Sequence, residues 1–330
     1  SGDSEINGGS TPYIYMAIRR GPLAEPTSAT DVFAVDTNDT TTGDPTKYDS
    51  TFTVDMVIQA LNKNTSSSNK RVNSRLTGIN YLTTNSTAAE GTNASSYTFD
   101  TQTGFRLDPG TDVNDIAYMW KRAPSYFDVV AYSGTQVART ISHNLGLNGT
   151  VPEMIWVKNR DGTTPWMVYH SALGNQAYLQ LNSTAAAVTG NTSRWNATTP
   201  TASVFSLGDS GSVNGSGTNY IAYLFSTLAG VSKCGSYTGN GNTGQTIDCG
   251  FSNGARFVLI KRTDTTGSWY VHDTERGIVA GNDPYLMLDT SDAETTGYDL
   301  IDPHSSGFSL ATGFSGWNAN GGSYIFYAIA

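Results

Sequence analysis

The chain has 330 residues, of which Gly, Ser, Thr and Asn fill 138, and only 14% are charged. Those four types are modest or poor helix formers, which excludes a mainly helical protein, and 6 Trp, 18 Tyr and 12 Phe exclude a disordered low-complexity chain. With 19 basic against 28 acidic residues the net charge is −9, which argues against nucleic acid as a partner; no apolar run reaches the roughly 20 residues of a membrane helix.

In chain order, the first predicted element is an aromatic strand, Tyr13 to Ile18, after a Gly/Ser stretch. Its form recurs at Asp115–Trp120, Tyr220–Phe225 and Tyr324–Ile329, with offsets of 102, 105 and 104 residues. A period near one hundred is a domain rather than a solenoid repeat. Asp31–Val35 matches Asp128–Tyr132, and Asp55–Ile58 matches Glu153–Lys158 and Arg256–Lys261. Trp166–Tyr169 matches Trp269–His272. Segments beginning at Tyr81, Tyr178 and Tyr285 match one another, as do those around Phe105, Phe205 and Phe308.

This order predicts an all-β protein of tandem, jelly-roll-like β-sandwich domains of about 100 residues each. Their expected bounds are 20–123, 124–229 and 230–330, the first divergent. Residues 1–19 read as the last strand of an upstream copy or as the first domain's own edge. The chain starts in mid-pattern and is expected to be the C-terminal part of something longer. Runs such as Met154–Val157, apolar on consecutive residues, fit the middle of a two-sheet core.

The segments "YIYMAIRRGP" (13–22), "HNLG…PEMIWVKNRD" (143–161), "W-x-V-Y-H-S-x-x-G" (166–174) and "YTGNG" (237–241) resemble a repeated unit in tailed-bacteriophage virion proteins, mostly of marine phages. Those proteins are described as tail-fibre, appendage or other structural components. The resemblance is weakest over 37–127, where the Trp segment is missing and Lys-rich "LNKNTSSSNKR" (61–71) stands in its place. It implies a β-sandwich unit, a place on the virion surface, contacts with other virion proteins and a homo-oligomer, a trimer by analogy. It carries no catalytic residues across.

Chemistry-bearing motifs are sparse. Gly208-Asp209-Ser210-Gly211 has the look of a serine-protease loop, but the third copy has Gly313-Phe314-Ser315-Gly316 there, so it reads as a turn. His143, His170, His272 and His304 lack zinc-site spacing, and the offset between His170 and His272 puts them on opposite sheet faces. Calcium could be held by Asp36, Asp39 and Asp44, or by Asp289, Asp292 and Glu294, although EF-hand spacing is absent. Cys234 and Cys249 flank a strand and turn; a cross-strand disulfide and two buried thiols both fit.

The expected role is host-surface attachment through carbohydrate, without an enzymatic activity. Trp195, Tyr298, Trp317 and Asn318 lie in loop-like segments and are the candidates for a sugar-binding surface. The competing expectations are a head, neck or tail ornament with a purely structural role and, further off, a polysaccharide depolymerase. The last needs two carboxylates about 5 to 10 Å apart, and no such pair recurs in the repeat.

Overall fold

A computed structural model of the chain describes residues 24–37, 47–61, 63–92, 97–99, 101–107 and 114–330. The expected strand over 13–18 and the carboxylates Asp39 and Asp44 lie outside the described residues.

The same antiparallel strand order is laid down three times. In the first unit Phe33–Thr37 pairs with Ile116–Trp120, followed by Met56–Ala60, Lys70–Ser74, Asn80–Thr83 and Gly91–Thr92. The second runs Phe127–Ser133, Asn219–Phe225, Met154–Asn159, Met167–His170, Leu179–Gln180. The third runs Ser232–Thr238, Ser323–Ile329, Phe257–Arg262, Trp269–Asp273, Leu286–Met287. Each large sheet has a small companion: Lys47–Asp49 with Gly104–Leu107 and Tyr97–Thr98, Arg139–Ser142 with Val204–Leu207, and Gln245–Asp248 with Gly307–Leu310 and Ile301–His304.

Side chains alternate across a strand, and here both faces are covered. Met154 and Trp156 enter one core, while Ile155 and Val157 enter another. Phe257 and Leu259 separate from Val258 and Ile260 in the same way, as do Met56 and Ile58 from Val57. One face of each large sheet packs on its own small sheet. The opposite faces of all three large sheets meet in a single shared core, which includes Tyr118, Tyr223 and Tyr327 from equivalent strand positions.

The tandem sandwiches thus share one core, and this corrects one expectation. The continuous apolar runs arise because each large sheet is a middle layer, not because the strand lies in the centre of a two-layer sandwich.

The units close a ring. Glu90, Ala187 and Glu294 each lie nine residues after Tyr81, Tyr178 and Tyr285. The Glu90 amide donates to Arg160 O of the second unit at 2.8 Å, and that of Ala187 to Thr263 O of the third at 2.9 Å. The Glu294 amide returns to Lys63 O of the first. Each unit donates once and accepts once, which is the head-to-tail geometry of a closed three-membered ring.

Buried side chains repeat the pattern. Trp166 Nε1 donates to Thr83 O and Trp269 Nε1 to Gln180 O, both at 2.9 Å. Lys158 Nζ donates to Thr87 O at 3.1 Å and Lys261 Nζ to Thr184 O at 3.0 Å. The first unit lacks the Trp, and Lys70 takes over from the neighbouring strand, opposite Ala60, donating to Asp292 O at 2.7 Å. The Lys-rich segment that blurred the repeat is therefore a joint of the ring.

Glycine is required where loops meet strands. A Cβ on Gly134 would lie 2.3 Å from Gly215 O, and one on the equivalent Gly239 would lie 2.3 Å from Ala319 O.

Candidate functional site at the junction of the second and third units

Three of the four residues expected on a sugar-binding surface are interior. Trp195 is 2% exposed, Trp317 1% and Asn318 0%. Trp195 packs on Tyr169 and donates to Ala177 O at 3.0 Å. Trp317 packs on Tyr270 and donates to His272 Nε2 at 3.1 Å. Asn318 accepts from the amide of Asn240 at 2.8 Å and donates to Asn242 O at 2.7 Å, as Asn214 does for Thr135 and Val137. They rivet loops to the outer cores, since an indole or amide in a Gly-rich loop is the bulk that fills the space under it. Tyr298 alone is at the surface, 58% exposed.

The other candidates resolve as follows. Cys234 belongs to the shared core and Cys249 to the outer core of the third unit; both thiols are free, so no disulfide joins them. Burial pushes Cys249 up to about 12 and Cys234 well above the usual thiol range, so neither is a thiolate at neutral pH. The second acidic group is dispersed: Asp289 accepts from the Trp269 amide, the Asp292 carbonyl accepts from Lys70, and Glu294 pairs with Lys63 and Arg276. Asp36 accepts from the Asp49 amide. Among the described residues no three His, Cys, Asp or Glu are grouped to hold a metal ion.

Ser210 caps the short helix Gly211–Asn214, its hydroxyl accepting from the Ser212 amide. The true register differs by one residue from the sequence match: Ser210 O accepts from Val213 and Asn214, and Phe314 O from Trp317 and Asn318. Each His accepts a hydrogen bond within its own unit. His143 accepts from Leu145, His170 from Ala172, His272 from Trp317 and His304 from Ser306. Burial drives His170 down to about 4 and His272 to about 3. His170 faces the shared core opposite Met154, and His272 the outer core opposite Val258.

What the molecule does offer is a cleft between the second and third units. Its origin is one column of the repeat. At the first joint Glu90 is clamped by Arg160 at 3.0 and 2.8 Å, and at the third Glu294 is held by Lys63 at 3.1 Å and Arg276 at 3.2 Å. At the joint between them the same position is Ala187, and a cleft of about 660 Å³ opens there. Ala172, Leu173 and Thr189 line one side, and Ser236, Thr238 and Ser323 are among the residues on the other.

The third unit's wall is rigid. Tyr237 and Tyr324 stack 4.8 Å apart at 8°, their hydroxyls donating to Trp317 O at 2.6 Å and Ser315 O at 2.7 Å. Arg262 grips Asp264 through two hydrogen bonds of 2.8 and 3.0 Å, which holds the Asp264 carboxyl below its usual range. The cleft thus presents a fixed carboxylate, exposed hydroxyls and a half-buried aromatic ring. That set suits hydrogen bonding to a polyhydroxylated ligand.

A family model described as a domain of unknown function (DUF7483) matches residues 29–330 in one span. The chain belongs to this family. No curated protein and no solved structure matches it. The DUF7483 match covers all three units together, in keeping with their shared core.

Sequence reasoning missed Ala187, Arg262 and Asp264. The signal for Ala187 lay in the aligned column Glu90, Ala187, Glu294, where one small residue stands among two acids.

Proposed function

We propose that this chain is a non-enzymatic component of a tailed-phage appendage, a closed knob of three sandwiches that contributes to attachment by holding host-surface carbohydrate in the cleft beside Ala187. The observation that carries this reading is the distribution of chemistry. The thiols, all six Trp and the ring-closing Lys are spent inside, while a preorganised carboxylate–hydroxyl–aromatic surface faces outward. The phage and appendage part rests on the sequence resemblance. The DUF7483 match is neutral towards it.

Three linked units need no second copy to complete their core. A trimer in such an appendage is then a trimer of rings joined through ring surfaces. The purely structural alternative is favoured by one feature, the exposed apolar side chains Val279, Tyr298 and Phe314 on the third unit, which suit burial against a neighbour.

The test is binding of the labelled chain to host cells, with purified envelope polysaccharide as competitor. Ala187→Glu, which fills the cleft, and Asp264→Ala are expected to abolish retention while Tyr298→Ala leaves it intact. Retention unaffected by both cleft variants overturns the site. No retention at all, with cryo-electron microscopy showing the cleft buried against a virion protein, overturns the attachment role.

A further inference from the structure

Asp55, Glu153 and Arg256 occupy one position of the repeat, each directly preceding the central strand of its sheet. Their backbones behave alike: their amides donate to Trp120 O, Phe225 O and Ile329 O. Their side chains do not. Asp55 accepts from the Arg122 amide at 2.8 Å and Glu153 from the Thr227 amide at 2.6 Å, two residues beyond the strand partners Trp120 and Phe225. In both, an acid fixes the path of the chain as it leaves its last strand. The third unit reverses the charge.

Arg256 is not spent in this way. It has no ion pair or side-chain hydrogen bond among the described residues, and its Nη1 is buried without an acceptor. Burial pulls its basicity down, and Tyr126 and Glu275 only partly offset this. A half-buried guanidinium is costly where a buried N–H lacks an acceptor, as at Nη1.

It borders a pocket of about 410 Å³ at the junction of the third and first units. Phe33 and Ala34 give an apolar floor, and Thr30, Ser50, Thr51 and Thr103 give hydroxyl-bearing walls. Asp49 also lines it. Ser50 and Thr51 donate their hydroxyls to Phe52 O and Thr30 O, which leaves their oxygens to act as acceptors.

From this we infer that the Arg256 pocket binds a carboxylated sugar, its carboxylate on the guanidinium and its hydroxyls on Asp49 and the Ser/Thr wall. A guanidinium fork matches a carboxylate in two parallel hydrogen bonds. Asp49 disfavours a bare multivalent anion such as phosphate but accepts from sugar hydroxyls. The volume suits one or two sugar rings. The inference deepens the attachment reading and rests on it for biological sense. It concerns a different site from the Ala187 cleft.

The test is calorimetric titration of the whole chain with glucuronate and a glucuronate-containing disaccharide. Methyl glucoside and inorganic phosphate serve as comparison probes. Both uronates are expected to bind, methyl glucoside at least tenfold more weakly, and phosphate not measurably. Arg256→Gln is expected to remove uronate binding with no loss of melting temperature, and Asp49→Asn to weaken it several-fold. Arg256→Lys, which keeps the charge but not the fork, provides a second variant should the glutamine fail to fold, and is expected to weaken binding at least tenfold. No uronate binding by the folded chain overturns the inference. So does equal binding of methyl glucoside, or phosphate binding as tight as uronate. Host-cell retention through the Ala187 cleft is scored on the same preparations. Its persistence when uronate binding fails sinks this inference alone, and its failure in every variant sinks the attachment reading.

Discussion

The joint between the third and first units and the joint between the second and third are built on one plan with opposite fillings. At the former, Arg276 is 3% exposed and lies between Asp273 and Glu294, with Lys63 on Glu294 and the Tyr118 hydroxyl on Asp273 at 2.9 Å. At the latter, Ala187 replaces the acid, and the seal is Trp269, Lys261 and a pair of backbone hydrogen bonds. A repeated joint therefore needs only its backbone bond and its buried cation. The acid is free to vary, and where it is absent an opening results.

The largest expected effect comes from breaking the ionic joint. Arg276→Met leaves Asp273 buried without its cation and Glu294 with Lys63 alone, and is expected to cost about 3–5 kcal/mol in chemical denaturation. Arg262→Met removes a partner of the surface pair with Asp264 and is expected to cost no more than about 1 kcal/mol. Equal losses would show that the interior network is not what holds that joint.

Next in size is Trp269→Phe at the other joint. It removes the indole donor to Gln180 O and part of the buried ring, an expected loss of about 2–3 kcal/mol. Trp166→Phe is expected to match it. A much smaller loss at one of the two joints would break their equivalence.

The pH dependence follows from buried groups on both sides of neutrality. His170 and His272 titrate near 4 and 3 in the folded chain against about 6.5 unfolded. Between those values the unfolded state binds more protons, so stability falls as pH drops below about 6.5, by up to about 3 kcal/mol for His170 and about 5 kcal/mol for His272. Lys70, Lys158 and Lys261 titrate near 8 rather than 10.5. By the same sign, stability rises as pH climbs above about 8. It falls again above about pH 10, where unfolded tyrosines ionise but buried ones such as Tyr118 and Tyr237, pushed well up by burial, do not. Melting temperatures across this range that are flat above pH 8 would contradict the buried-lysine joints.

The smallest effect is a graft. Ala187→Glu with Thr263→Arg copies Glu90 and Arg160 into the second joint, and a double-mutant cycle is expected to show a coupling of about 0.5–1 kcal/mol. Zero coupling would mean that the Ala187 joint is held too far open to accept the pair.

Much of this fold was legible in the chain. Aromatic strands at a period near one hundred residues, with segments in constant order, specify three sheets of one connectivity. The continuous apolar run Met154–Val157 was legible too, but its meaning was not, because burial on both faces looks the same whichever layers do the covering. The candidate site was less legible. Trp195, Trp317 and Asn318 stand in polar, Gly-rich surroundings that suggest a surface, and sequence does not reveal that such loops fold back over them. Arg256 was visible as a charge reversal against Asp55 and Glu153, yet only the unpaired guanidinium in the structure gives that reversal a use.

The local elements were settled in the chain: composition ruled out a mainly helical protein, continuous apolar runs of β-branched and aromatic residues made strands buried on both faces, and glycines such as Gly134 and Gly239 let loops approach them. Tertiary structure alone decided that the three units share a core and close head to tail. That closure depends on which carbonyl of a distant unit the Glu90, Ala187 and Glu294 amides meet, and hydrogen bonds between residues some seventy or more positions apart leave no periodic mark on a sequence.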